Sequence, residues 1–364
     1  MRICFISVGT FTHIGAYLDY FRQTGHDVLF VSLSPSPERQ VPTYNVGLGK
    51  KYSEREGKWK YPISMLRARR LIKKLKPDIV HAHYATSGGL TTLACGFHPA
   101  VVTVHGSDLT VGIKSRVWRP LLKRIFEYSD CVNTVSKNLQ SMVLSMGISP
   151  EKIENLTLGI DTEKFSFAER TKIEQSRVLR FLCTRRLESV FDHSTVLHAL
   201  AQLKKKGIKF QMTFVGNGSL LGELKKLAND LNLNDYVSFI GPVHNGKLPE
   251  VLGRHDVYLS ASLRDGTSLS LLEAMATGLF PIVSNIKANS DWLRHGNDGL
   301  LHKVGDADDL ANCILQLLSK PDIVAKAVQR NRQLVIEQAD RNKNMKRLES
   351  IYEDLINKSR TGTI

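Results

Sequence analysis

The sequence predicts an α/β protein that consists of two doubly wound parallel-sheet domains. Short, continuous apolar runs, such as 79–83 and 101–105, alternate with amphipathic helical segments along most of the 364 residues. Such runs are typical of strands that are buried on both faces of a parallel sheet. A polar segment at about 160–177 interrupts the alternation, which then resumes, so we expect a linker followed by a second domain.

In the first half of the chain, helices and strands follow one another as a parallel sheet requires. Pro77 ends one of these helices, because proline cannot continue a helical hydrogen-bond pattern. The predicted strands are 2–8, 27–33, 79–83, 101–105 and 131–135, and the predicted helices are 14–24, 63–75 and 117–128.

The same order of elements recurs in the second half. Strands are predicted at 179–184, 210–215, 236–240, 256–260 and 280–284, and helices at 193–206, 219–230, 246–253, 269–277 and 307–319, with a charged helical tail over 322–356. We therefore assign 1–165 and 166–335 to two Rossmann-like domains. The remaining tail, 336–364, is expected to pack back on the N-terminal domain.

The composition points to an ordinary cytoplasmic protein. The apolar run at 3–9 is too short for a signal peptide, and no run of about 18 apolar residues suggests a membrane span. The five cysteines are scattered and form no CxxC pair, which argues against a disulfide framework and against a zinc site.

The positive charge is concentrated in two stretches. The chain carries 50 Lys and Arg against 35 Asp and Glu, and the segment 50–76 alone holds 11 basic and two acidic residues together with Trp59. A second basic cluster covers 114–124. These stretches favour an anionic partner, such as a membrane surface or a phosphorylated acceptor, over a plain solvated face. Since no nucleic-acid-binding module is recognisable, we expect no nucleic-acid partner.

The strongest chemical signal is the segment D-G-T-S-L-S-L-L-E-A-M-A-T-G, which runs from Asp265 to Gly278. Two carboxylates, Asp265 and Glu273, lie eight residues apart and flank a turn that opens a helix. The first turn of a helix presents free N–H groups and a positive dipole end, which suit a diphosphate. The first carboxylate can then meet sugar hydroxyls, and the second can accept hydrogen bonds from a ribose.

This segment resembles the E-x7-E signature of the retaining glycosyltransferases of family GT4, which have the GT-B fold. Asp265 replaces the first Glu of that signature, and Thr267-Ser268 replace the usual Phe-Gly. The resemblance extends over most of the chain, including the interdomain segment 155–165. It implies two facing Rossmann-like domains with a cleft between them, the first on the acceptor side and the second binding a nucleotide sugar.

The resemblance also assigns roles to individual residues. Arg186 in T-R-R-L matches an arginine that clamps the donor phosphates, and His105 at the end of its strand matches a histidine that faces the donor sugar. The resulting catalytic set is His105, Asp265 and Glu273, and the donor-binding set is Gly15, Arg186, Gly216, Val243, Gly266, Thr267, Ser268, Leu269 and Ser270.

Three features of the predicted site stay open at this point. Phe191 stands where the family has a second phosphate-binding cation, a lysine, and either Arg185 or His193 is a candidate replacement. His81 and His83 are candidate cleft or acceptor-side residues, with no persuasive metal spacing to any carboxylate. The loop Gly216-Asn217-Gly218 follows a strand but lacks the third glycine and the acidic residue of a nicotinamide site.

The resemblance implies a metal-independent, retaining hexosyltransferase that needs no cofactor besides its nucleotide-sugar donor. The basic stretches 50–76 and 114–124 further suggest a glycan or lipid-linked acceptor on the inner face of the plasma membrane, as in cell-envelope polysaccharide or glycolipid synthesis. Two alternatives remain: a nucleotide-sugar-binding protein that has lost turnover, which the missing lysine favours, and a GT-B epimerase or phosphorylase.

Overall fold

The computed structural model describes residues 1–9, 12–36, 39–49, 61–168 and 178–363, which form two units. The first unit comprises Met1–Leu158 and Asn342–Ile364, and the second comprises Gly159–Arg341. The sequence places these boundaries at 165 and 336. The basic residues 50–60, including Trp59, and most of the predicted linker, 169–177, lie outside the described residues.

The first unit contains a parallel sheet in the order β3-β2-β1-β4-β5-β6-β7. All residues of β4 and β5 are buried, as expected of central strands with helices on both faces. The strands are β1 (Arg2–Ser7), β2 (Asp27–Ser32), β3 (Thr43–Asn45), β4 (Ile79–His83), β5 (Ala100–Val104), β6 (Cys131–Thr134) and β7 (Ile153–Asn155).

Helices connect these strands and cover the sheet. They are α1 (Thr12–Gln23), α2 (Tyr61–Leu75), α3 (Leu90–Cys95), α4 (Ser107–Thr110), α5 (Trp118–Tyr128) and α6 (Lys137–Leu144). A π-helical turn, Tyr84–Gly89, joins β4 to α3. Tyr84 opens this turn with a φ of 66°, a conformation that costs a non-glycine residue energy and tends to occur at functional sites.

The second unit repeats the architecture with a parallel sheet in the order β10-β9-β8-β11-β12-β13. Its strands are β8 (Leu179–Cys183), β9 (Phe210–Phe214), β10 (Val237–Phe239), β11 (Val257–Ser260), β12 (Phe280–Ser284) and β13 (Leu300–His302). Its helices are α7 (His193–Lys205), α8 (Leu221–Asp230), α9 (Leu248–Gly253), α10 (Leu269–Ala276), α11 (Lys287–Ser290), α12 (Ala307–Ser319) and α13 (Ile323–Gln338).

Each sheet has a point at which the strand order reverses. In the first sheet this point lies between β1 and β4, and in the second it lies between β8 and β11. The loops that follow such a strand pair diverge to opposite faces, which leaves a crevice at the carboxyl ends of the strands. The loops after β8 and β11 therefore frame the predicted donor-binding residues of the second unit.

The C-terminal helix, α14 (Arg341–Arg360), belongs largely to the first unit. Its apolar face is buried, and Tyr352 stacks on Phe21 with ring centroids 5.2 Å apart. At its edge, Glu349 contacts His26 with a distance of 2.6 Å between Oε1 and Nε2. The tail is thus anchored by burial and by polar contacts, and the sequence-based helical tail divides into α13 and α14.

The predicted fold class, two parallel-sheet α/β domains, is confirmed. The predicted helices and strands before the tail recur with ends that differ by at most two residues, whereas the tail predicted over 322–356 is split into α13 and α14 and extends to Arg360. The prediction lacked β3, β7 and β13, each of three residues, and the short helices α3, α4, α6 and α11. Within the described residues, no helix is both long enough and apolar enough to cross a membrane.

Candidate active site

The loop between β11 and α10 presents the start of a helix to the crevice of the second unit. Ser268 caps α10, with its hydroxyl accepting a hydrogen bond from the N–H of Leu271 at 3.2 Å. Asp265 precedes the cap and accepts a hydrogen bond from the N–H of Gly266 at 2.8 Å. The predicted residues Gly266, Thr267, Ser268, Leu269 and Ser270 thus form one continuous turn at the positive end of the helix dipole.

A buried arginine links this turn to the loop that follows β8. The guanidinium of Arg185 donates from Nη2 to Oδ2 of Asp265 at 2.5 Å and from Nη1 to the hydroxyl of Ser268 at 2.9 Å. Its face lies over the ring of Phe191, 4.1 Å from the centroid. Only 10% of the Arg185 side chain and 19% of the Asp265 side chain are exposed, so the pair is shielded from water.

The electrostatics keep this guanidinium charged. Burial lowers the pKa of Arg185, but the Asp265 carboxylate together with Tyr258 and Cys183 raises it by more, and the pKa lies above its usual value. Within the described residues, the buried Nε of Arg185 has no hydrogen-bond partner. An unpaired buried donor on a charged group is costly, and an anion at this position would remove the cost.

Glu273 lies about one turn into α10, in a largely buried position. Burial raises the pKa of this carboxyl group to about 7, although the positive charges of Arg341, Lys164 and Arg185 lower it. A carboxylate in this environment would gain from the hydroxyl donors of a ribose, since hydrogen bonds to the charged form stabilise it.

Arg186 and the glycine loop 216–218 follow two neighbouring strands, β8 and β9. The Arg186 side chain is 75% exposed and its guanidinium contacts Glu188 at 3.3 Å. Gly216 has a φ of 138°, and a Cβ there would lie 2.7 Å from the carbonyl oxygen of Arg185. The bare backbone of the loop thus approaches the 185–187 segment closely, and the N–H of Leu187 donates to the carbonyl of Asn217 at 3.1 Å.

Between the two candidate replacements for the missing lysine, the geometry favours Arg185. His193 is buried, and its Nε2 donates to the carbonyl oxygen of Arg186 at 2.9 Å. Burial lowers the pKa of His193, so the imidazole stays neutral and supports the loop conformation. Arg185 instead contacts both Asp265 and the α10 cap, and its guanidinium lies on Phe191, the residue at the lysine position.

His105 follows β5 in the first unit and has aromatic neighbours on several sides. Its Nε2 lies 2.9 Å from Nδ1 of His83, and its ring stacks on Tyr84 with centroids 4.4 Å apart. His13 of α1 stacks on it at 5.6 Å. Burial, followed by the influence of His83 and His13, holds the pKa of His105 well below its usual value, so the ring is neutral.

A buried carboxylate fixes the backbone beside His105. Asp108 accepts hydrogen bonds from the N–H groups of His105 at 3.2 Å, Gly106 at 2.9 Å and Ala85 at 2.8 Å. Burial raises the pKa of Asp108, while these N–H groups lower it. Asp108 therefore joins the end of β5 to the π-helical turn after β4.

The other candidates have distinct surroundings. His81 is buried between the Tyr352 hydroxyl and Thr103, whose Oγ1 lies 2.7 Å from its Nε2, so His81 supports the packing of α14. Gly15 of α1 faces Arg39, because a Cβ there would lie 3.1 Å from Nη1. Val243 packs partly buried against the apolar cluster that contains α10 residues. Within the described ranges, no three His, Cys, Asp or Glu residues are grouped as a metal site.

Profiles of two glycosyltransferase families match adjacent parts of the chain. The profile described as Glycosyltransferase Family 4 matches residues 9–164, and the profile described as Glycosyl transferases group 1 matches residues 166–334. The chain belongs to glycosyltransferase family 4. The two profiles divide this family 4 glycosyltransferase close to the boundary between its two units.

Proteins similar to this family 4 glycosyltransferase include the N-acetyl-alpha-D-glucosaminyl L-malate synthase of Bacillus anthracis, which is 26% identical over 99% of this chain and 98% of that protein. The UDP-Gal:alpha-D-GlcNAc-diphosphoundecaprenol alpha-1,3-galactosyltransferase of Escherichia coli is 26% identical over 80% of this chain and 79% of its own. Among solved structures, Anabaena HepE in complex with UDP superposes with a TM-score of 0.79 at 15% identity, covering 98% of this chain and 100% of that chain.

Sequence reasoning overlooked two residues of this glycosyltransferase and left a third open. Asp108 received no role, although a carboxylate three residues after a strand-end histidine is a signal for a loop-fixing acceptor. Tyr84 gave no signal, because a π-helical turn has no simple sequence pattern. For Arg185, two consecutive arginines do not reveal which of them faces inward, since loop conformation decides that.

We expect the carboxyl group of Glu273 to titrate with a midpoint near pH 7, because burial raises its pKa to about 7. The measurement is a pH titration of the glutamate side-chain carboxyl carbons by NMR, in which Glu273→Gln identifies the signal. Replacing Arg341 by Met should raise the midpoint further, because the Arg341 charge lowers this pKa. A Glu273 midpoint in the ordinary range near 4.5 would show that water reaches the carboxyl freely.

Proposed function

We propose that this family 4 glycosyltransferase transfers a sugar from a nucleoside-diphosphate sugar to a glycan or lipid-linked acceptor, with retention of the anomeric configuration and without a metal ion. The observation that carries the proposal is the largely buried Arg185–Asp265 pair before the start of α10, with Glu273 one turn into that helix. The names of similar proteins, which include a UDP-galactose transferase and a structure holding UDP, support this donor class.

The diphosphate is proposed to bind at the first turn of α10. The N–H groups of this turn and the helix dipole favour an anion, and Arg185 adds a fixed positive charge beside them. Arg186, which is exposed and contacts Glu188 at 3.3 Å, is proposed as a second cation that turns toward the phosphates. Asp265 then accepts hydrogen bonds from the sugar, and Glu273 accepts them from the ribose.

The proposed chemistry requires no nucleophilic side chain. The bond between the anomeric carbon and the diphosphate oxygen breaks, and the acceptor oxygen forms its bond to the same face of that carbon. The departing phosphate oxygen takes the acceptor's proton. The arginines and the helix start stabilise the charge that develops on the leaving diphosphate, which is the task that a metal ion performs in other enzymes.

His105 has a proposed role in the first unit. Because its ring stays neutral, it suits a hydrogen bond to a sugar hydroxyl better than it suits proton transfer. The acceptor is proposed to belong to cell-envelope polysaccharide or glycolipid synthesis, in line with the diphosphoundecaprenol acceptor in the name of the Escherichia coli relative. Phe191 at the lysine position favours one alternative, a nucleotide-sugar-binding protein without turnover, although Arg185 offers a cation beside it.

Replacing Arg185 by Gln should weaken binding of a nucleoside diphosphate at least tenfold, because it removes a charge-assisted contact worth about 1.5–3 kcal/mol. Binding of the corresponding nucleoside, which lacks phosphates, should change little. Both affinities are measured by calorimetry, with UDP, GDP, ADP and dTDP as the diphosphates and with the nucleoside of each as the phosphate-free ligand.

The matched control for Arg185 is Arg180→Gln. Arg180 pairs with Asp256 where β8 and β11 begin, at the ends of these strands that are remote from α10. Nε of Arg180 lies 3.0 Å from Oδ2 of Asp256, and Nη2 lies 2.7 Å from Oδ1. The Arg180 variant therefore loses an ion pair from the same two strands without a change at α10. Equal diphosphate affinity in the folded Arg185→Gln variant and in this control would refute the role of Arg185.

The activity itself is tested by release of nucleoside diphosphate from UDP-, GDP-, ADP- and dTDP-sugars, with a crude lipid extract as acceptor and EDTA present. We expect release from one donor, unaffected by EDTA and lost in Glu273→Ala, and a product whose anomeric NMR signals match the donor's configuration. Inversion would contradict retention, and loss with EDTA would contradict metal independence. Phosphate-dependent turnover or an isomerised donor would favour a phosphorylase or an epimerase.

We further propose that the first unit binds an anionic membrane surface through α2 and α5. The basic side chains of α2 are exposed, and so are its apolar residues Ile63, at 42%, and Leu66, at 56%. Val117, just before α5, is 74% exposed, and the basic residues of that helix also face solvent. Both helices contact α3, so they lie on the same side of the unit. Such a mixture of basic and apolar groups suits lipid headgroups.

Sedimentation with vesicles tests this surface. The protein should pellet with phosphatidylglycerol-containing vesicles at low salt and be released by high salt, because the attraction is electrostatic. The double variant Arg70→Glu/Lys74→Glu should stay in the supernatant. Lys225→Glu/Lys226→Glu on α8, which changes the net charge equally on the other unit, should still pellet. Absence of binding at low salt would refute the proposal.

A further inference from the structure

The contact between His83 and His105 determines which nitrogen of His105 carries the proton. Nδ1 of His83 lies 2.9 Å from Nε2 of His105, so one proton is shared between two imidazole nitrogens. Both rings are neutral, because burial holds the pKa of each well below its usual value. One of the two histidines therefore donates and the other accepts, and the two arrangements leave different atoms free.

The surroundings of His83 decide between the two arrangements. Its other nitrogen, Nε2, is buried and has no hydrogen-bond partner among the described residues. If the His83 proton were on Nε2, an N–H group would be buried without an acceptor, which is rarer in proteins than an unpaired acceptor. His83 is therefore protonated on Nδ1 and donates to His105, which leaves the His105 proton on Nδ1.

Aromatic contacts on several sides restrict the motion of both rings. His83 lies against Tyr17, edge to face at 4.6 Å, and against His81 at 4.4 Å. His105 lies against Tyr84 and His13, and Asp108 fixes its backbone N–H. The Nδ1–H of His105, which has no protein acceptor among the described residues, is thus a preset donor in a half-buried position.

We propose that His83 is a positioning residue that holds His105 as the neutral Nδ1–H tautomer, so that His105 donates a hydrogen bond to a hydroxyl oxygen of a substrate sugar. The sugar as substrate rests on the proposed function, but the tautomer does not. The role explains why a second histidine is buried beside the first, at the end of the neighbouring strand β4. Sequence inspection left His83 only as a candidate cleft or acceptor-side residue.

Nitrogen-15 NMR of the histidine-labelled protein tests the tautomer, because protonated and bare imidazole nitrogens have distinct shifts, and His105→Gln identifies the signals. We expect His105 to be protonated on Nδ1 in the wild type. The proton should move to Nε2 in His83→Phe, which keeps a ring but removes the donor. His83→Asn, which can place an amide N–H near the former Nδ1, should retain the original tautomer.

Kinetics test the consequence for transfer. His83→Phe should lower kcat about tenfold, the equivalent of one hydrogen bond, and His83→Asn should recover much of the loss. His198→Gln, an exposed histidine of α7, is the control that changes neither readout. A wild-type His105 protonated on Nε2, or the same tautomer in His83→Phe, would overturn the proposal. The expected tautomers in a protein without transfer would instead refute the proposed function and leave the positioning role of His83 standing.

Discussion

The candidate site of the second unit depends on the positive charge of Arg185, which is largely buried and needs an anionic partner. Arg185 lies at the carboxyl end of β8, where the strand order reverses, and it contacts both Asp265 and the α10 cap. Moving both charges out of water is costly, and replacing such pairs by apolar residues often leaves a protein equally stable. The pair is therefore weak evidence for stability, and the proposed function gives it a role in binding the diphosphate. The pair holds the Asp265 carboxylate in place and puts the positive charge of Arg185 beside the start of α10.

In the first unit, the buried polar groups of the candidate site are neutral. His81, His83 and His105 form a row across the ends of β4 and β5, from the Tyr352 hydroxyl of α14 to the half-buried ring of His105. Burial lowers the pKa of all three, so the row provides oriented dipoles and not charge. Through Tyr352, the C-terminal helix contributes to this arrangement, which gives the tail a role beyond covering apolar surface.

Two parts of the candidate site in the second unit, the 265–273 segment and the arginines at 185 and 186, differ in how far their structure followed from the sequence. The 265–273 segment followed from its own residues, because a turn that opens a helix presents its N–H groups whatever surrounds it. The cations proposed to bind the phosphates did not follow in this way. The motif points to Arg186, which is exposed and faces Glu188, whereas its neighbour Arg185 is buried beside Asp265. That difference depends on the 216–218 loop and on His193, which support the 185–187 backbone from other parts of the chain.

The sequence by itself determined the two parallel sheets, most of their strands and the helix that carries Glu273, because apolar runs and helix-start patterns are local signals. Only the tertiary structure decided which arginine turns inward, that His83 contacts His105, and why burial raises the pKa of Glu273 to about 7. Each of these properties depends on atoms that are distant in the chain and close in space. Edge strands of three residues, such as β3 and β7, were equally out of reach, since their pairing partners, not their own residues, define them.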